Sequence, residues 1–311
     1  PSSVTSLGSN AFAYCIELET VKNDSKLLSS YLFSHDVKLQ SFNSDSNSII
    51  IGPQYIAQNM GTNIFEYCYG TLLIEGEKSV TGITQIDIQN DYIAPYMFRN
   101  CRGITNVNLK ENVKIIDAGA FLKCSNLETI EFSLSDTEGT NSIEKIKALA
   151  FQETAISEIH LPVSLTYLGE GVFKACKNLV LMEIPFIGSE TNNNVVIDSV
   201  FGWIFGRKFV SKTASSDGNN IIMLESDDKE TLDIIENTEL FMATEMLYSA
   251  AQSAVFYIPT NLKTIKITRE VTIARGAFYN CEKLETIELP QGADYTKNIL
   301  NFAFYNCRSL K

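Results

Sequence analysis

The sequence predicts an α/β repeat solenoid, in which short structural repeats stack on one another. Two features of the 311 residues support this prediction. A phenylalanine lies three residues before every cysteine, and an alternation of apolar and polar residues follows each phenylalanine. A disulfide scaffold or a zinc site does not require that phenylalanine, whereas a repeated packing position does. The cysteines are Cys15, Cys68, Cys101, Cys124, Cys176, Cys281 and Cys307.

We call these phenylalanines the anchors, because each marks the same position in one copy of the repeat. Phe33 and Phe151 mark two further copies, in which Asp36 and Thr154 replace the cysteine. The shortest anchor spacings are about 22 residues, within the roughly 20–29-residue period of one class of strand-containing solenoid. The anchors are Phe12, Phe33, Phe65, Phe98, Phe121, Phe151, Phe173, Phe278 and Phe304.

Longer spacings predict loop insertions at Ser44–Ser48 and Tyr69–Thr81. The segment between Phe173 and Phe278 has room for about three more repeats, with Phe201 and, less clearly, Phe241 as altered anchors. A loop insertion is expected around residues 206–256. Residues 1–311 are therefore predicted to form a single solenoid of about ten or eleven repeats.

Each half of the repeat predicts one layer of the fold. Leu127, Ile130 and Phe132 alternate with polar residues, which predicts a short strand with one buried face. Stacked repeats would align such strands into a parallel sheet. The segment Gly8–Cys15 instead has small and apolar residues at spacings of three and four, which predicts an irregular turn or a short helix.

The cysteines are copies of one core position, so their odd number says nothing about disulfide pairing. Free cysteine packs as a small hydrophobe, and Thr154 fills the same position in another repeat. We therefore predict free, buried thiols. Trp203, the single tryptophan, lies beside Phe201 and Phe205 and is predicted to be buried.

Composition argues against several classes of function. The net charge is −12, with 25 Lys and Arg against 37 Asp and Glu, which disfavours nucleic acid and anionic membranes as main partners. No apolar run reaches the ~18 residues of a membrane-spanning helix. The insertion segments 217–220 and 225–228 are acidic but lack the alternating ligands of a calcium loop. We expect no metal and no cofactor.

The two histidines offer little catalytic chemistry. His160 alternates with Ile159 and Leu161, so it is predicted to point out of the sheet into solvent. His35 is predicted to be an exposed turn residue. No pair of cysteines has metal-binding spacing, and Gly169-Glu170-Gly171 lacks the Gly-Lys-Ser/Thr that a phosphate-binding loop needs. The sequence therefore predicts a protein that is not an enzyme.

The repeat resembles the BspA-type leucine-rich repeat, whose pattern is P-x-x-V-x-x-I-G-x-x-A-F-x-x-C-x-x-L-x-x-I-x-I. Pro1–Val21 and Pro162–Ile184 match this pattern almost position by position, and the resemblance covers most of the chain outside about 206–256. It implies a right-handed array with the parallel sheet on the concave face and irregular or short helical turns on the convex face. It also implies a cell-surface or secreted bacterial protein, host-associated and linked to adhesion.

Two functions remain open from the sequence. The first is binding of a protein partner, such as a host extracellular-matrix or cell-surface protein, through the concave face or the 206–256 insertion. The second is a passive stalk or spacer that displays another domain. The oligomeric state is left open. The candidate binding residues of the concave face are Asp87, Asn108, Glu131, Glu158, His160, Glu183, Lys266 and Glu288.

Overall fold

The computed structural model describes residues 1–45, 47–68, 73–74, 77–78, 84–133, 143–190, 197–207, 231, 233–236, 239–269, 272–290 and 298–311. The chain divides into two compact units. The N-terminal unit is Pro1–Ile156, and the C-terminal unit is Ser157–Lys311. Both units combine parallel strands with turns, as the α/β repeat solenoid requires, and the described residues contain very little helix.

Parallel strands form the front sheet of the N-terminal unit. Phe42, Ile49, Ile86 and Val107 lie in one line of the register and are fully buried. Because side chains alternate across a strand, their neighbours face outwards. The strands are Thr20–Val21, Ser41–Phe42, Ser48–Ile51, Gln85–Ile88, Asn106–Leu109 and Thr129–Phe132.

The strand Ser48–Ile51 corrects the prediction of a simple loop insertion at Ser44–Ser48. Ile49 pairs with Phe42 on one side and with Ile86 on the other. Three consecutive isoleucines favour a strand, although no anchor lies between Phe42 and Ile49. The strand Ser48–Ile51 therefore belongs to the front sheet but does not follow an anchor turn.

A second, shorter ladder runs beside the front sheet. Tyr92–Ile93 pairs in parallel with Ile115–Ile116, which pairs with Lys145–Ile146. The N-terminal unit also contains the 3-10 helix Ala57–Asn59 and an antiparallel hairpin of Leu73–Ile74 and Glu77–Lys78. That hairpin lies within the predicted insertion Tyr69–Thr81, the rest of which falls outside the described residues.

Each anchor lies at the centre of a turn with two left-handed residues. For Phe98 these are Tyr96 at φ 54° and Asn100 at φ 59°, two positions before and two positions after the ring. Side-chain-bearing residues seldom adopt this conformation, and it interrupts a helix. This half of the repeat is therefore a turn rather than a short helix. The same placement holds for Phe12, Phe33, Phe65, Phe121, Phe151, Phe173, Phe278 and Phe304.

Within the units, backbone hydrogen bonds join many of the anchor turns to the next. The N–H groups of Tyr96, Phe98 and Asn100 donate to carbonyl oxygens of the following repeat at 2.9, 2.8 and 2.8 Å. The left-handed residues turn alternate N–H groups towards the neighbouring repeat, as in a strand ladder. The same three bonds follow from the turns of Phe12, Phe33, Phe65, Phe121 and Phe278.

The anchor rings form a stack inside the N-terminal unit. Neighbouring ring centroids from Phe12 to Phe151 lie 5.3 to 5.8 Å apart, with planes within 16° of parallel. This is the offset-stacked geometry that aromatic rings prefer. Phe65, Phe98, Phe121 and Phe151 have no solvent exposure, whereas Phe12 is 44% exposed.

The cysteines are free, and their thiols serve the same packing. Cys101 Sγ donates to the carbonyl oxygen of Phe65, the preceding anchor, at 2.9 Å, and Cys124 Sγ does the same to Phe98 at 3.1 Å. Five cysteines are buried as predicted. The prediction is wrong for Cys15, which is exposed, and Cys307, which is half-buried, because only one other repeat of the chain packs against each.

The C-terminal unit repeats this design with its own front sheet. Thr272–Ile273 pairs in parallel with Asn298–Ile299, and Tyr167–Leu168 is a further short strand. The described part of the unit also contains an antiparallel hairpin of Phe241–Leu247 and Ser253–Pro259 and the 3-10 helices Ile197–Ser199 and Phe201–Phe205. The front strands are Glu158–His160, Leu181–Ile184, Thr264–Ile267 and Thr286–Glu288.

The 3-10 helix Phe201–Phe205 takes the place of one anchor turn. Phe173 N–H donates to the carbonyl oxygen of Ile204 at 3.0 Å, a bond that places Phe205 in the anchor register. Phe201 N–H donates to Ala277, and the Phe201 ring lies 5.0 Å from that of Phe278. Phe201 is thus confirmed as an altered anchor, and it shares that position with Phe205.

Phe241 is not an anchor. It begins the hairpin and packs against Ala175 and Ile235. The hairpin covers the 3-10 helix, because Phe256 lies so close to Gly202 that a Cβ there would meet its ring at 2.4 Å. The sequence of Phe241–Leu247 does not indicate the direction in which the strand pairs, so its antiparallel pairing was not predicted. The insertion predicted around 206–256 therefore contains this hairpin.

Replacing an anchor inside the stack is expected to cost far more than replacing one at its exposed edge. We predict that Phe98→Ala lowers the free energy of unfolding by about 3–5 kcal/mol, because the substitution leaves a cavity between two rings. Phe12→Ala is the matched control and should cost clearly less, since its ring is partly in solvent. Urea unfolding followed by circular dichroism measures both; equal losses would contradict the stacking account.

Thiol labelling is expected to separate the cysteines by position. Burial raises the pKa of Cys68, Cys101, Cys124 and Cys281, and raises that of Cys307 to about 11. Native protein at pH 8 should therefore react rapidly with iodoacetamide at Cys15 alone, whereas protein in urea without reductant should react at all seven sites. Peptide mass mapping checks the assignment. Rapid labelling of Cys101 in native protein would contradict the packing described.

Candidate binding surface

The front sheets align outward-facing side chains into rows. In the N-terminal unit the register places Ile50, Asp87, Asn108 and Glu131 side by side. In the C-terminal unit it places His160, Glu183, Lys266 and Glu288 side by side. We call these two sets the front rows. The predicted alignment of Asp87, Asn108 and Glu131 and of the C-terminal set is thus present, and whether they bind a partner stays a prediction.

Ile50 belongs to the N-terminal front row and was missed, because it lies on the strand without an anchor. Lys22 and Asn43, which the repeat spacing would place in the same row, instead follow the ends of their two-residue strands. Asn43 has a left-handed backbone at φ 54°, and its Oδ1 accepts a bond from Asn23 N–H at 2.7 Å. Its side chain is therefore committed to the turn.

A flanking row runs beside each front row. Gln85, Asn106 and Thr129 align in the N-terminal unit, as do Glu158, Leu181, Thr264 and Thr286 in the C-terminal unit. Leu181 introduces an apolar, half-buried side chain among polar neighbours. Glu158 is exposed and lies beside it. The candidate residue Glu158 therefore belongs to the flanking row rather than to the front row.

The two front rows differ in charge. The N-terminal row contains Asp87 and Glu131 and no basic residue. Its Asn108 Oδ1 accepts a bond from Ser133 Oγ at 3.1 Å. Gln85 Nε2 donates long bonds to both carboxylate oxygens of Asp87, at 3.3 and 3.5 Å. The half-buried carboxylate of Asp87 and the exposed one of Glu131 have no cation in their row, so they produce a local negative potential that favours a basic partner.

The C-terminal front row alternates in charge and pairs internally. His160 Nδ1 lies 3.0 Å from Glu183 Oε2, and Lys266 Nζ lies 3.8 Å from Glu288 Oε2. Exposed pairs of this kind contribute at most about 1 kcal/mol each. Lys266 gives this row a cation beside its two acids, whereas the N-terminal row has none. His160 points into solvent, as predicted, with its side chain 60% exposed.

His35 is not the exposed turn residue that the sequence predicts. It lies between the rings of Tyr14 and Tyr67, with both centroid distances at 4.4 Å. Its half-buried position lowers the pKa of the imidazole. Each of these three residues lies two positions after an anchor, so their rings meet in consecutive repeats. His35 therefore contributes to the packing of consecutive repeats through its contacts with Tyr14 and Tyr67.

Asp36 occupies the cysteine position and is completely buried. Its Oδ1 accepts a bond from Cys15 N–H at 2.7 Å, while its Oδ2 has no hydrogen-bond partner among the residues that the structure describes. Burial raises the pKa of Asp36 to about 7, an effect that the bond from Cys15 only partly offsets. When it is ionised, this carboxyl group therefore destabilises the packing of the first two repeats.

Trp203 is buried, as predicted, and its Nε1 donates to the carbonyl oxygen of Leu168 at 3.0 Å. Within the part of the chain that the structure describes, no three His, Cys, Asp or Glu side chains are grouped so that they could hold a metal ion. Likewise, no described helix is long and apolar enough to cross a membrane. The acidic segments 217–220 and 225–228 lie outside the described residues.

A family model decides what kind of protein this is. The model of the BspA type leucine rich repeat region matches residues 1–90, 29–138, 91–199 and 249–311, in six copies. The chain belongs to the BspA-type leucine-rich repeat family. The resemblance noted from Pro1–Val21 and Pro162–Ile184 is thus confirmed. This leucine-rich repeat (LRR) protein leaves 200–248 outside the matched segments, where the 3-10 helix and much of the hairpin lie.

Three solved structures are similar to the LRR protein. A leucine-rich repeat protein from Bacteroides ovatus ATCC 8483 has 18% identity and a TM-score of 0.41, with 98% of this chain and 68% of that chain covered. The T. pallidum leucine rich repeat protein has 16% identity and a TM-score of 0.35, with 85% and 78% covered. A leucine rich cell surface protein from Faecalibacterium prausnitzii A2-165 has 19% identity and a TM-score of 0.36, with 94% and 71% covered. No curated protein matches.

The buried carboxyl group of Asp36 predicts a dependence of stability on pH. Because the folded state holds this proton more tightly than the unfolded chain, stability should fall as the pH rises from about 4 to about 7 and then level off. Asp36→Asn keeps the shape but cannot ionise, so the variant should lose this dependence and gain about 1–3 kcal/mol at pH 8.

Unfolding in urea at pH 4.5, 6 and 8 measures the effect. Asp36→Cys restores the residue that the repeat uses elsewhere and should also be more stable than the parent at pH 8. Asp91→Asn, a change of the same kind at an exposed position, is the control and should leave the profile unchanged. A parental profile that persists in Asp36→Asn would contradict this assignment.

Proposed function

We propose that the LRR protein is a noncatalytic protein-binding module, secreted or displayed at a cell surface, that adheres to a host extracellular-matrix or cell-surface protein. The observation that carries this proposal is the pair of front rows. Repeats of this family are typically protein-interaction modules, and stacked repeats generally bind through an extended sheet face. The surface location rests on membership of the family.

The packing leaves the front rows free to serve this purpose. The anchor rings and thiols of the N-terminal unit pack its repeats together from within, and the carboxylates of Asp87 and Glu131 are not part of that packing. Asp87 and Asn108 are half-buried, and Glu131 is exposed. A surface whose side chains are not required for folding can vary to suit a partner.

Charge favours a basic contact on the N-terminal front row. Asp87 and Glu131 have no basic residue between them, whereas the acids of the C-terminal row face Lys266 and His160. We therefore propose that the partner's basic surface contacts the N-terminal row first. The C-terminal candidates Glu158, His160, Glu183, Lys266 and Glu288 then extend the contact.

A second function, a passive stalk or spacer, is favoured by one observation. The front rows contain no tyrosine, tryptophan or arginine, the side chains that dominate binding hot spots. The paired charges of the C-terminal row also satisfy one another. A spacer would need stacking but no complementary face.

Charge reversal on the N-terminal front row tests the proposed function. Immobilised LRR protein is exposed to fibronectin, laminin, fibrinogen and collagen, and to solubilised host-cell surface proteins, in low and high salt. Asp87→Lys/Glu131→Lys should weaken binding to the retained ligand at least about tenfold, because two favourable contacts become repulsive. Higher salt should weaken the parental complex.

The matched control is Asp91→Lys/Glu111→Lys, which changes the net charge equally at exposed positions outside the front sheet. The control should bind like the parent, and circular dichroism should show both variants folded. Equal binding by the front-row variant would contradict the proposed surface. Retention of no ligand would favour the spacer.

A further inference from the structure

A polar cavity of about 680 Å³ lies in the N-terminal unit at the carboxyl ends of the first three front strands. It exists because the strand Ser48–Ile51 has no anchor turn of its own. The chain leaves the sheet after Val21, Phe42 and Ile51, and the three departing segments form the wall. Its volume is within the range of small-molecule sites, about 300–1,000 Å³.

A closed set of hydrogen bonds holds the wall in place. Asn43 Oδ1 accepts from Asn23 N–H at 2.7 Å, and Asn43 Nδ2 donates to the Tyr55 hydroxyl at 3.0 Å. The Tyr55 hydroxyl donates in turn to the carbonyl oxygen of Asn23 at 3.0 Å. Tyr55 is completely buried beneath these groups. The cavity is thus formed before any ligand arrives.

Gly52 keeps part of the cavity open for the Gln54 side chain. A Cβ at Gly52 would meet Gln54 Oε1 at 2.3 Å, so the bare glycine lets the carboxamide fold back over the backbone. Gly52 does not have a left-handed backbone, and the group it would displace is the end of a flexible side chain. The glycine therefore positions a polar group of the lining.

The lining indicates the class of ligand. The exposed carboxylates of Asp24 and Asp45 accept hydrogen bonds, Lys22 donates them, and the amides of Gln54 and Gln89 do both. An anion would face two carboxylates, a cation would face the lysine, and an apolar molecule would leave these groups unsatisfied. A neutral molecule with many hydroxyl groups satisfies donors and acceptors together.

We propose that this cavity is a binding site for a neutral saccharide of two or three residues. Asp24 and Asp45 accept hydrogen bonds from sugar hydroxyl groups, and Lys22 and Gln54 donate to hydroxyl and ring oxygens. None of the described residues that line the cavity is aromatic, and Tyr55 is buried beneath the wall, so binding depends on hydrogen bonds. The cavity borders the N-terminal front row at Ile50 but contains none of its candidate binding residues, and the proposal does not depend on the proposed protein partner.

Saturation-transfer NMR tests the proposal directly on the full chain. The probes are lactose, maltotriose and N,N′,N″-triacetylchitotriose as neutral saccharides, 3′-sialyllactose as an anionic one and hexalysine as a cation. We expect at least one neutral saccharide to show transfer to its ring protons. Asp24→Ala/Asp45→Ala should weaken its binding about tenfold or more, because two bonds to charged acceptors are lost.

Two further variants make the result specific. Gly52→Ala should weaken binding by displacing the Gln54 amide, while circular dichroism stays parental. Asp91→Ala/Glu111→Ala removes two acids elsewhere and should bind like the parent. No transfer to any neutral saccharide, preference for sialyllactose or hexalysine, or unchanged binding in the Asp24/Asp45 variant would each overturn the proposal.

Discussion

The docking of one anchor turn on the next is the interaction on which the rest of this structure depends. From Phe12 to Phe151 neighbouring phenylalanine rings form offset stacks, and the turns of Phe12, Phe33, Phe65, Phe98 and Phe121 each donate three backbone hydrogen bonds to the next turn. In several repeats a thiol adds a bond to the preceding anchor carbonyl. A single repeat makes none of these contacts alone, so stability arises between repeats. The left-handed residues on both sides of each anchor cost conformational energy, which the inter-repeat bonds offset.

This junction also explains residue choices that look arbitrary in the sequence. Tyr96, Asn100 and Gly119 share no chemistry, yet all lie two positions from an anchor and all have left-handed backbones. At Gly119 a side chain would meet the Tyr96 ring at 2.4 Å, so glycine there accommodates the tyrosine of the preceding repeat. Asp36 shows the opposite case, since its carboxyl group occupies a position that suits a thiol.

The sequence predicted the anchors, the strands that follow them and the alignment of the front rows, because all of these recur with the repeat. It did not predict what lacks a repeat signal. Ser48–Ile51 has the composition of a strand but no anchor, and Phe241 resembles an anchor although it begins an antiparallel hairpin. The sharing of one anchor position by Phe201 and Phe205 depends on hydrogen-bond register, which no spacing rule reveals. The polar cavity follows from the unmatched strand and was hidden for the same reason.

The two proposed functional surfaces therefore lie outside the stack of anchor rings. The front rows face away from the anchor stack, and the cavity lies beside the strand Ser48–Ile51, which does not follow an anchor turn. The central claim, that junctions rather than individual repeats carry stability, is tested most directly by native-state hydrogen exchange. In a Phe98→Ala variant the amides of Phe65, Phe98 and Phe121 should lose protection together, because a cavity at one junction weakens both neighbours. Loss of protection confined to residue 98, with Phe65 and Phe121 as slow as in the parent, would contradict it.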